Sequence, residues 1–140
     1  MPSFKQSRRR KLNNASRRGV AVVELAVCLP VIVFLLLATI EACVMLQIQQ
    51  NAAITAYEGA RIGIMPGADA SVVQLQCGML LDDRGIENYT ILTSPSDLSS
   101  MEVGDQLTVT VEIDCSANSV IGGTFIDGKT ISESVVMKAE

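Results

Sequence analysis

The chain has 140 residues and a formal net charge of −4, and it contains neither histidine nor tryptophan. Without histidine there is no imidazole general base and no histidine-based metal site. The charge is also unevenly placed. Residues 1–18 hold seven cations (Lys5, Arg8, Arg9, Arg10, Lys11, Arg17 and Arg18) and no acid, whereas all fifteen acids and only four cations follow. A basic run confined to one end of an acidic body argues against nucleic-acid binding, because the body repels phosphates.

Directly after the basic run, Gly19-Val20-Ala21-Val22-Val23-Glu24 leads into Leu25–Ile40, a stretch without any charge. At about 1.5 Å per residue that core spans roughly 24 Å as a helix, and Val20–Val23 with Ala42–Leu46 bring it to membrane length. Residues 20–46 therefore read as a transmembrane helix, with Glu24 and Glu41 near opposite interfaces. Pro30 removes one backbone hydrogen bond within it. Cations beside one end of an apolar span predict that this end stays cytoplasmic and the acidic remainder does not. Glu41 is expected to snorkel at the outer interface or to line a subunit contact.

The helix continues beyond the membrane. Ile48, Ala52, Ala56, Ala60 and Ile64 recur at i+4 spacing, a stripe of mostly small residues that lets another element pack closely. Met65-Pro66-Gly67 ends it. Asp69 or Ser71 caps a second helix reaching about Arg84, with Val72, Leu75, Met79 and Leu80 on one side and Gly85 as its stop. The pattern then changes to strands at Tyr89–Thr93, Leu107–Ile113 and Ile131–Lys138. Leu107, Val109, Val111 and Ile113 form one face of the second. Ile131, Val135 and Met137 point inward from the third, interrupted by Glu133. Asp127-Gly128 reads as a tight turn between Phe125-Ile126 and Thr130-Ile131.

These elements predict an α+β fold. A long N-terminal transmembrane and amphipathic helix is followed by a second helix and a small three-stranded antiparallel sheet, the sheet covered by the second helix and the outer half of the first. The expected boundaries are a basic segment at 1–19, the membrane helix at 20–46 and an extracytoplasmic domain at 47–140. Four cysteines are present. An oxidising compartment permits a Cys77–Cys115 bridge, adding about 3–4 kcal/mol; the alternative is four small buried hydrophobes.

The basic leader, Gly19, four apolar residues, Glu24 and the apolar helix together resemble a type IV prepilin cleavage site. Arg17-Arg18-Gly19, Val23-Glu24-Leu25-Ala26, Leu29-Pro30 and Glu58-Gly59-Ala60-Arg61 narrow this to a resemblance to the TadE-like minor pseudopilins of the tight-adherence (Flp) pilus. The terminal Val135-Val136-Met137-Lys138 fits that family's closing strand in pattern. The resemblance implies that a prepilin peptidase cuts after Gly19, leaving Val20 as the new N-terminus. It further implies that Glu24 serves subunit assembly, and that the partners are the peptidase, other pseudopilins, the pilus assembly platform and the inner membrane. No catalytic residue, metal or cofactor is implied. Val20 stands where many type IV pilins have Phe, and Leu25 where major Flp pilins often have Tyr. Those departures, with the long outer body, favour a minor subunit over the filament's main one.

Two rivals follow from the same residues. One is an uncleaved single-pass protein whose outer domain binds an envelope component; Glu41 and Arg61 are candidate partner contacts in either reading. The other is an enzyme, which lacks a recognisable nucleophile arrangement and would need Asp82, Asp83 or Asp114 to converge in a pocket. An enzyme is not expected.

Overall fold

The computed structural model describes residues 12–122 and 128–139. Five elements follow in chain order: α1 (Leu12–Gly63), α2 (Ala70–Asp83), β1 (Tyr89–Ser94), β2 (Gln106–Asp114) and β3 (Thr130–Lys138). The chain divides between Thr39 and Ile40 into two compact units. The second unit thus takes in Ile40–Leu46, which the sequence assigned to the membrane helix, because the stripe that docks into the domain begins earlier than Ile48.

The helix α1 starts at Leu12, ahead of the expected Val20. Asn13, Asn14, Ala15 and Ser16 contain no proline to stop it, and Gly19 weakens a helix interior by only about 0.5–1 kcal/mol relative to alanine. Pro30 lies inside the helix. In the second unit, α1 buries Glu41, Ile48, Ala52, Thr55, Ala56, Gly59, Ala60 and Gly63. Most of these are small, and the seam is correspondingly close. A Cβ added to Gly59 would lie 2.5 Å from Cys77 Sγ and 3.3 Å from a Val109 methyl, and one added to Gly63 would overlap Leu107.

Asp69 caps α2: its carboxylate accepts from the Ser71 amide at 3.3 Å and from the Ser71 hydroxyl at 2.8 Å. The helix ends in a Schellman turn. The Gly85 amide donates to Asp82 O at 2.9 Å and the Ile86 amide to Leu81 O at 3.0 Å, with Gly85 at φ +67°. Ile86 and Leu81 share one apolar cluster, the contact that usually accompanies this cap.

The buried face of α2 is not the expected one. Val73, Cys77 and Leu81 turn inward, while Val72, Leu75 and Met79 are 51–63% exposed. The helix is apolar on several sides, so periodicity alone does not select its inner face. The smaller Cys77, opposite Gly59, permits the approach to α1 that a bulkier residue would block.

The sheet is antiparallel in the order β1-β2-β3. β2 alternates as read, with Leu107, Val109, Val111 and Ile113 buried. Two adjoining clusters make the core. Ile48, Ala52, Ala56, Leu81, Ile86, Val111 and Ile113 form one. Ala60, Val73, Cys77, Leu98, Leu107 and Val109 form the other. Glu133, on the inner face of β3, accepts a 2.8 Å hydrogen bond from the Gln49 amide of α1, which accounts for an acid in that position. Phe125–Asp127, the first part of the expected turn, lie outside the described residues; Gly128 has φ +70°.

Candidate functional site

Gly19, Val20 and Glu24 all lie within α1, one unbroken helix. Gly19 is helical, and a Cβ built on it would meet nothing within 4 Å. Among the described residues, neither packing nor backbone conformation therefore requires glycine there. Glu24 is exposed and makes no hydrogen bond or ion pair among the described residues. The large apolar side chains from Val20 to Ile40 are 40–68% exposed. Among the described residues, one helix is long and apolar enough to cross a membrane, and it fits a single-pass anchor. So much exposed apolar surface is stable only in lipid or against other apolar helices.

Glu41 behaves differently from the expectation that it snorkels. It is only 4% exposed, and its Oε1 accepts a 2.5 Å hydrogen bond from the Ser119 hydroxyl. Its Oε2 is buried with no hydrogen-bond partner. The 114–122 segment is held over it by a chain of contacts. Asp114 Oδ1 accepts from the Ser116 amide and hydroxyl at 2.8 and 2.7 Å. The Asn118 side chain bonds the Glu87 backbone at both N–H and C=O. The Cys115 amide donates to Lys129 O, and the Ile121 amide donates to the Ser119 hydroxyl. Sequence reasoning missed Ser119. The signal was available for Glu41: extending the stripe back one heptad from Ile48 reaches it.

Arg61 is exposed at the end of α1, 3.8 Å from Glu58 one turn earlier, a solvated pair of small energetic worth. Thr55, fully buried, accepts from the Arg84 guanidinium at 3.3 Å. The acids Asp82 and Asp114 each have local partners: Asp82 accepts from the Tyr89 hydroxyl at 2.7 Å, and Asp114 from Ser116. Those serine hydrogen bonds hold the Asp114 carboxyl below the ordinary range, as Ser71 and Ser99 do for Asp69 and Asp97. The Asp82 hydrogen bond raises the Tyr89 phenol. Among the described residues no cluster of three or more His, Cys, Asp or Glu could hold a metal.

All four cysteines are free, so Cys77 and Cys115 do not form a bridge. Their positions give the reason. Cys77 turns into the seam with α1, where its thiol donates to Thr55 O at 3.6 Å. Cys115 lies beyond Ile113 at the far end of β2, bonded through its amide to the start of β3. Burial pushes the Cys77 thiol up to about 11 and raises Cys115 as well, keeping both protonated. Cys28 and Cys43 are exposed on α1.

Residues 19–61 match the family model described as TadE-like protein. The match begins at Gly19 and ends at Arg61, so it takes in the exposed apolar segment and nearly all of the small-residue seam. It points to a protein associated with the Tad pilus. No curated protein and no solved structure matches the chain.

Proposed function

We propose that this chain is a minor prepilin of a Tad-type pilus, cut after Gly19 by a prepilin peptidase and incorporated through its apolar helix into an assembly of related subunits. The observation that carries the reading is the pairing of a TadE-like segment starting at Gly19 with a glycine and a glutamate that no contact among the described residues explains. A side chain with no intramolecular task is free to serve an external one. Cleavage would create an α-amine at Val20, about one helical turn from Glu24. A carboxylate near a helix N-terminus is favoured by the helix dipole. In a bundle it could pair with the amine of a neighbouring subunit, so that two poorly solvated charges are neutralised together. That contact would set axial register.

The span anchors the unprocessed chain in the inner membrane of a bacterium, basic end inside, with the domain from Ile40 onward on the outer side. The domain then presents Arg61 and the exposed face of α2 to other pseudopilins or the assembly platform. No chemical step is assigned to the chain itself.

Intact mass and N-terminal sequencing of protein from native membranes test this. A chain beginning at Val20 is expected. A second reading, an uncleaved single-pass anchor, draws on the continuity of α1 from Leu12 through Gly19. Retention of Arg17-Arg18-Gly19 would select it and end the prepilin mechanism.

A further inference from the structure

The outer unit has a groove on the first turns of α1 after the apolar run. Its walls are Ala42, Met45 and Leu46 from α1, Cys115 just past the end of β2, and Ile131 from β3. Gln49 lies toward one end, and Lys129 and Thr130 lie at the rim, around a volume of about 580 Å³. That is within the size range of small-molecule sites. Gln49 is engaged by Glu133, which leaves the walls between it and Lys129 chiefly apolar.

We infer that this groove binds an anionic phospholipid from the leaflet at the Ala42 end of the span, with an acyl chain along Met45, Leu46 and Ile131 and the phosphate on Lys129 and Thr130.

Two observations favour that occupant. The first is continuity. The apolar run ends at Ile40, Glu41 is withdrawn from the surface onto Ser119, and Ala42, Met45 and Leu46 then carry the apolar surface into the groove. A soluble ligand would gain little from such a position, whereas a lipid beside the helix need only shift along it.

The second is charge. From residue 41 onward there are fourteen acids and four cations. Arg61 lies beside Glu58, Arg84 bonds Thr55, and Lys138 is at the opposite end of β3 from this groove. Lys129 makes no ion pair among the described residues and lies on the groove rim. The two acids of β2 and β3 nearest to it in the fold each accept a hydrogen bond from another residue. Asp114 accepts from Ser116, and Glu133 from Gln49. One cation at an anionic bilayer surface is worth about a fivefold enrichment.

The inference rests on α1 being a membrane anchor and not on cleavage after Gly19. The test uses the full chain in nanodiscs. These contain either phosphatidylglycerol or phosphatidylcholine bearing the same photoactivatable acyl chain, and adducts are mapped by mass spectrometry. Phosphatidylglycerol is expected to label Met45, Leu46 or Ile131 about fivefold more than phosphatidylcholine. Lys129→Gln should reduce that labelling to the phosphatidylcholine level without changing the melting temperature, since the side chain is exposed. Equal labelling by the two lipids, or labelling of the groove unaffected by Lys129→Gln, overturns the inference. So do adducts confined to residues 25–40. A chain that fails to enter the nanodisc overturns the anchor reading itself, and is told apart by its absence from the disc fraction.

Discussion

The two halves of α1 are built from similar residues and meet opposite fates. Val20–Ile40 and Ile48–Gly63 are both rich in small and aliphatic side chains, yet the first is exposed along its length and the second is buried on one face. The difference lies in what the rest of the chain supplies. The second half has glycine or alanine at most of the positions it buries against α2 and β2, so its own domain covers it. The first half has no such cover among the described residues, and its surface must be satisfied by lipid or by other chains. Apolarity in the second half is spent on folding, and in the first half it is left for lipid or for other chains.

Glycine gives the largest test of that contrast. Gly59→Leu should destabilise the outer domain by about 3 kcal/mol, because the side chain would collide with Cys77 and Val109 across the seam. Thermal melts of the full chain in detergent would show it. Gly19→Leu should leave the melt unchanged and instead stop processing, seen as a persistent full-length band. Equal losses of stability in both would break the distinction between the halves.

The two glutamates sharpen it. Glu41→Ala removes the acceptor of Ser119 and should cost about 1 kcal/mol in the same melts. Glu24→Ala should have no effect on stability and should lower recovery of the subunit in sheared pilus fractions. Undiminished incorporation would end the register role of Glu24.

Acid titration probes the domain alone. Asp69, Asp97 and Asp114 have folded pKa values below the ordinary carboxylate value, so their contribution is present above about pH 3.9 and lost as pH falls through the lowered folded values. Ser116→Ala should raise the Asp114 pKa, which NMR titration of the carboxyl would detect, and make the domain slightly less resistant to acid. The smallest effect concerns the thiols. Reduction should leave the electrophoretic mobility of the unfolded chain unchanged, since Cys77 and Cys115 are unbridged.

Much of this was readable from residue order because local signals and tertiary demands agree. The Leu107–Ile113 alternation has one buried side and becomes β2. Asp69, Ser71 and Gly85 leave little choice about where α2 begins and ends. The seam of α1 was visible as a run of alanines at i+4. What was not readable depends on partners distant in sequence. The inner face of α2 turns on Cys77 meeting Gly59, eighteen positions earlier, and helical periodicity does not rank two comparably apolar faces. Glu41 is buried because Ser119, in a segment held by Asn118 and Glu87, comes to lie over it. Gly19 and Glu24 are the reverse case: spacing singled them out, and the fold assigns them nothing.

The division between Thr39 and Ile40 has a consequence for how such a subunit changes surroundings. Among the described residues, both buried clusters of the second unit are built from residues after Ile40, while the large apolar side chains from Val20 to Ile40 are exposed. Under the proposed function, the first unit would exchange lipid neighbours for protein ones while those clusters are kept. Relocation is then a change of solvent for one segment, with no refolding step to slow it.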